Sequence, residues 1–214
     1  MRELKIGLAL FLVTMLFGYM AQAQGNQIDP PIERVIYANG KAIKFDTRID
    51  GDITMENQIE VAKLWSHISK KPTVLRIYIN TNGGRVDVAM QYLEAITALK
   101  KKGFTINCVV DKAISAGFLI LSQCTNRFGW RDSILLHHNP WFWYNGPLNL
   151  PIIESFTEML QQLGQQLDAL VRLTFKPNDS IFRYIRDNDI AFNPVLANHW
   201  SPGFFHTIWD TKGK

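Results

Sequence analysis

The sequence predicts an α/β domain with a largely parallel sheet, and three observations carry that prediction. Strand-type runs alternate with helix-type stripes, the strand-type runs end in short polar or glycine-bearing loops, and one long helical stretch follows the last of them. Alternation of this kind builds βαβ units with parallel strands and right-handed crossovers.

In order, residues 34–45 show apolar alternation broken by Asn39-Gly40, a dipeptide suited to the positive φ angles of a hairpin turn. Thr54 is positioned to cap a helix over 54–69, with Ile59, Ala62, Trp65 and Ile68 on one face. A strand over 74–80 runs into Thr81-Asn82-Gly83-Gly84, after which Val86, Ala89, Met90, Leu93 and Ile96 restore the helical stripe. The pattern repeats as a strand over 104–110, a loop over 111–114 and a helix over 115–124, and a further strand covers 133–138. An aromatic loop, 141–144, precedes a long helix over 151–175 whose apolar positions spread widely enough for contacts on more than one side, making it a candidate oligomer contact. Residues 180–210, rich in Asn, Pro and aromatics, read as irregular. Loops at the carboxyl ends of parallel strands share one edge, where ligands bind, so 80–85, 111–115 and 138–140 converge there.

Composition narrows the function classes. A chain of 214 residues holds one domain with a real core, and 47% hydrophobic with 20% charged residues excludes both disorder and a multi-span membrane protein. The net charge of +4 is modest, and the lysine cluster at 100–102 reads as the solvated end of a helix, so no nucleic-acid partner is expected.

Arg2 and Lys5 precede an uncharged, mostly apolar run over 6–20, followed by Ala21-Gln22-Ala23. This pattern is that of a secretory signal peptide over 1–23, cleaved after Ala23 to leave a mature domain over 24–214. The run is shorter than the roughly 20 residues that span a bilayer, which disfavours the alternative of an uncleaved anchor. The folded part is expected to be secreted or periplasmic. Cys108 and Cys124 fall in a strand and near the end of the next helix. Strand and helix axes pack about 10 Å apart, whereas a disulfide needs Cα atoms within roughly 7 Å, and this weighs toward two buried thiols over a disulfide. No CxxC pair or His/Cys cluster has zinc-site spacing, so neither metal nor other cofactor is expected.

The chemistry centres on Ser115, at the first turn of a helix just past a strand, where free N–H groups and the helix dipole stabilise charge on an attacked carbonyl. The N–H of Ala116 is one oxyanion donor, and Gly83-Gly84, ending the preceding strand, offers another because glycine lets a carbonyl approach the backbone. Taken alone, Ser115 reads equally well as a helix cap. A general base is supplied by His137 or His138 at the end of the next strand; side chains alternate, so one of them enters the site. Asp187 and Asp189 are the carboxylates available to orient it.

INTNGG (79–84), AISAG (113–117) and SILLHHNP (133–140), followed by a long helix and IRD (185–187), resemble the Clp protease proteolytic subunit over roughly residues 42–187. The resemblance implies a ClpP/crotonase-type fold of stacked ββα units with a long protruding helix, a Ser-His-Asp triad, peptide or unfolded-protein substrates, and homo-oligomeric rings joined through that helix. It places the nucleophile on Ser115, the oxyanion donors on Gly84 and Ala116, the base on His138 through alignment of Ser133, His138 and Pro140, and the orienting carboxylate on Asp187. Three departures stand out: Asn82 replaces a proline, Asp111 replaces a glycine, and the segment after Phe192 matches poorly. An exported chain has no ATP, so no ATPase partner is expected and the reading is an ATP-independent serine peptidase. The alternative is a non-catalytic binding or assembly module on the same fold. A crotonase-type thioester reaction would need a cytoplasmic cofactor, which export opposes. Residues 141–144 are candidates for an apolar groove or a membrane contact, against plain packing on the long helix.

Overall fold

The sheet that organises the molecule follows directly from the strand-loop-helix alternation. The computed structural model describes residues 36–38, 41–141 and 149–210, so residues 1–23, where the signal peptide is expected, lie outside the described residues. The chain divides into two units at residue 43. In the first, β1 (Ile36–Ala38) and β2 (Lys41–Ile43) pair antiparallel with Tyr37 opposite Ala42; the Asn39-Gly40 turn between them is outside the described residues.

In the second unit, β3 (Thr47–Asp50), β4 (Val74–Thr81), β5 (Thr105–Ile114), β6 (Asn126–Leu136) and β7 (Thr207–Trp209) form one sheet in sequential order, and every pairing is parallel. The crossovers carry α1 (Gln58–Trp65), α2 (Val86–Lys101) and α3 (Ala116–Gln123), and the last connection carries α4 (Leu150–Arg172), α5 (Asp179–Asp187) and α6 (Pro194–Trp200). Right-handed crossovers between strands that always advance the same way put their helices on one face, where α1, α2, α3 and α4 pack in a row. This is the α/β architecture that the resemblance implies.

Local chemistry explains the elements. Thr54 caps the 3₁₀ turn Met55–Asn57 that leads into α1, accepting from the Glu56 N–H while the Asn57 side chain accepts from the Thr54 N–H. All eight residues of α3 are buried, because Phe118, Leu119, Ile120 and Leu121 lie between the sheet and the other helices. Its C-terminal carbonyls are held by Arg127 and Lys100, which donate to Ser122 and Cys124 and to Gln123 respectively. Little of the 23-residue α4 is buried: only Gly164, Leu167 and Val171 are, and its first half is largely solvent-facing.

Three expectations are corrected. The loop over 111–114 is strand: β5 runs on to Ile114, with a register shift at Asp111 absorbing the irregularity. Residues 180–210 are ordered, because Asn178 and Asn193 cap α5 and α6 by accepting from the N–H of Ile181 and Leu196, each at 2.9 Å; the Asn and Pro content punctuates helices. Cys108 and Cys124 are joined in a disulfide, with Cα atoms 6.0 Å apart. The helix-to-sheet distance does not apply to Cys124, because it lies past the end of α3 and three residues before Arg127, the register partner of Cys108.

Candidate active site

The serine expected to be the nucleophile has a backbone that only a special site explains. Ser115 has φ 56° and ψ −119°, a region costly for any residue with a Cβ, by about 1–3 kcal/mol. Its N–H donates to Leu136 O at 2.9 Å, tying it to the end of β6, and its carbonyl accepts from Phe118 and Leu119 to start α3. The hydroxyl caps nothing in α3, so the helix-cap explanation of this serine fails. The serine thus occupies a strained turn between the end of β5 and the start of α3.

Gly83 and Gly84 press against this turn. A Cβ on Gly83 would lie 2.6 Å from Ser115 Cβ and 2.7 Å from Ile114 O, so the two loops touch only because residue 83 has no side chain. Thr81 Oγ1 accepts from the Gly83 N–H at 3.0 Å and steadies the loop. Ile53 donates to Gly83 O at 2.7 Å and accepts from the Arg85 N–H at 2.9 Å. Gly83 and Gly84 lie past the end of β4, with φ 93° and 137°, a backbone that glycine adopts freely. Among the described residues, neither the Gly84 nor the Ala116 N–H has a backbone partner.

The two histidines separate cleanly. His137 is buried, packed on Phe118 and Phe182, with Nε2 2.9 Å from Asp168 Oδ1. His138, next along the chain, is partly exposed, with Nδ1 3.3 Å from Asp189 Oδ1. Burial holds its pKa below the ordinary histidine value; the nearby His137 adds to this, and Asp189 pulls against it. An imidazole so placed is neutral near pH 7 and open to accept a proton.

Asp187, the carboxylate assigned from the resemblance, is not the one on His138. Its Oδ1 accepts from Asn139 Nδ2 at 3.2 Å and from Arg186 Nε at 2.6 Å. An antiparallel bridge, in which Leu135 and Phe192 exchange N–H···O bonds of 2.8 and 2.9 Å, brings the segment after α5 alongside β6. Asp189 itself has φ 50°, which turns the chain back from α5 toward β6. Its signal in the sequence is the Asn188-Asp189 pair directly after the helix, two residue types that tolerate this left-handed turn.

Asn82 and Asp111, the two departures from the family pattern, are accommodated. Asn82 Nδ2 donates to Asp52 Oδ1 at 3.2 Å, and Asp111 Oδ2 accepts from Tyr78 Oη at 3.4 Å. Of the aromatic loop, only Trp141 is among the described residues, and it is largely exposed. Among the described residues, no group of three or more His, Cys, Asp or Glu is placed to hold a metal, and no helix is long and apolar enough to cross a membrane.

The family model described as Clp protease matches residues 37–209, which include the serine turn, the glycine pair, both histidines and Asp189. None of the curated proteins matches the chain.

Proposed function

The chain belongs to the Clp protease family, and from that premise we propose that it is an exported, ATP-independent serine peptidase. His138 takes the Ser115 proton as the hydroxyl attacks a peptide carbonyl, and the N–H groups of Gly84 and Ala116 hold the oxyanion. Asp189 orients the imidazole and stabilises its charged form, in place of Asp187. His138 then returns the proton to the leaving amine, and water repeats the cycle on the acyl-enzyme.

The observation that carries this reading is the strained, uncapped Ser115 turn packed directly against Gly83. Labelling with a fluorophosphonate probe tests it: the mature protein reacts, and Ser115→Ala and His138→Ala do not. A chain that stays unlabelled, or labels equally after Ser115→Ala, removes the assignment.

Export rests on the sequence over 1–23 and gains independent support from the Cys108–Cys124 disulfide, since such bonds persist in oxidising compartments. Peptides or unfolded proteins reaching the envelope are the substrates in this reading, and self-association uses the thinly buried first half of α4.

One observation favours the second reading, a non-catalytic binding module. Among the described residues no hydrogen bond joins Ser115 to His138. Catalytic contacts commonly tighten only with substrate. Ser115-dependent turnover of any peptide or ester eliminates the binding-module reading.

A further inference from the structure

His138 stands just beyond the sheet: the last ladder pair is Ile114 with Leu136, and nothing in the β5–β6 ladder holds residues 137–139. Side chains from α4 and α5 grip both of its neighbours instead. On one side His137 reaches Asp168 of α4 through Nε2 at 2.9 Å. On the other, Asn139 donates to Asp187 at the end of α5 at 3.2 Å. Arg186 closes the ring, because its Nη1 donates to Asp168 Oδ2 while its Nε donates to Asp187 Oδ1 at 2.6 Å.

The charges reinforce each other. Burial pushes the Asp168 carboxyl up, but bonds from His137 and Arg186 outweigh it and hold it below the usual carboxylate range. The Arg186 bond does the same for Asp187. A planar guanidinium donates along two fixed directions, so it joins two separate carboxylates where an ammonium acts as a single point. Occupying Asp187 in this way also leaves Asp189 as the carboxylate on His138.

We propose that His137, Asp168 and Arg186 are positioning residues, a clasp that fixes the peptide on both sides of His138 and so keeps its ring aligned with Asp189. The proposal rests on the reading of His138 as the general base, but the clasp has a readout of its own. In histidine-labelled protein, NMR follows the His138 ring while pH is varied, with Asp189, His137, Asp187 and Arg186 as the charged groups around it.

Arg186→Lys keeps the charge and loses the two-way donation. In this variant the His138 ring signal broadens and its titration moves up toward the ordinary histidine value. Fluorophosphonate labelling slows about 10-fold to 100-fold, the effect of a misplacement on the order of 1 Å, with peptide KM and melting temperature retained. Asp168→Asn, close in shape, gives the same changes in the His138 signal and the labelling rate, with a lower melting temperature because the Arg186 and His137 pairings lose their charge. Wild-type His138 behaviour in both variants overturns the clasp, as does loss of folding in both, which would mark a purely structural ion cluster. If wild-type protein is not labelled while the His138 signal still responds in the variants, the peptidase reading fails and the clasp stands.

Discussion

At Ser115 a residue with a Cβ occupies backbone space that is normally left to glycine, and the cost is met by the elements around it. Gly83 is the counterpart: it gives up its side chain so that the turn can sit against it. Gly83→Ala is expected to destabilise the domain by roughly 1–3 kcal/mol, the usual penalty of overpacking, and to slow labelling of Ser115. Thermal denaturation beside the labelling rate checks both parts. Acid–base behaviour is set at the same scale. Because burial depresses the His138 pKa, labelling falls off on the acid side only below the ordinary histidine value of about 6.5. Asp189 pulls that pKa upward, so Asp189→Asn moves the acid limb lower still and cuts the rate about 10-fold to 100-fold. A limb that stays in place in the variant would mean that Asp189 is not the partner of His138.

The element on which the site depends most is α3, the buried helix that begins at the serine. The Cys108–Cys124 disulfide joins the strand that enters the Ser115 turn to the end of the helix that leaves it, across a sequence separation of 16. Closing a loop near this length is worth about 3 kcal/mol in the chain-entropy account, so reductant is expected to lower the melting temperature by several degrees. An unchanged melt in reductant, with both thiols then titratable, would show that the bond contributes nothing. Helix caps are a second device at this scale. Asn193 starts α6 shortly after the segment that carries Asp189 and Phe192, and Asn193→Ala should cost about 1 kcal/mol by urea denaturation.

Across the whole molecule, acidification works in one direction. Asp168 and Asp187 have folded pKa values below their unfolded ones, so their stabilisation is complete above the unfolded carboxylate pKa of about 4 and disappears as pH falls through the folded values. His138, also depressed in the fold, adds a further loss as pH drops below its unfolded pKa. A melting temperature that falls steadily from pH 7 to pH 3 is expected, and a flat or rising profile would contradict the ion-cluster geometry. Assembly belongs to this scale as well. Leu150 and Ile153 stand exposed on the poorly covered half of α4, and Ile153→Glu is expected to reduce self-association in sedimentation without lowering the melting temperature.

Much of this organisation was legible in the linear sequence, because it is written in local chemistry. Period changes between strand and helix, the Thr54 cap and the glycine pair are interactions among near neighbours, and together they determined a parallel α/β sheet with Ser115, Gly84, Ala116 and the two histidines at one edge. Asn178 and Asn193 carried the same kind of local signal, hidden within a segment rich in loop-forming residues. Only the tertiary structure decided which carboxylate faces His138, since Asp189, more than fifty residues on, meets it only once the segment after α5 packs beside the end of β6. It also decided the disulfide, because the separation of two Cα atoms depends on where a helix ends over a sheet. Periodicity and caps act within a few residues, whereas the pairing of distant side chains exists only once the packed register has brought them together.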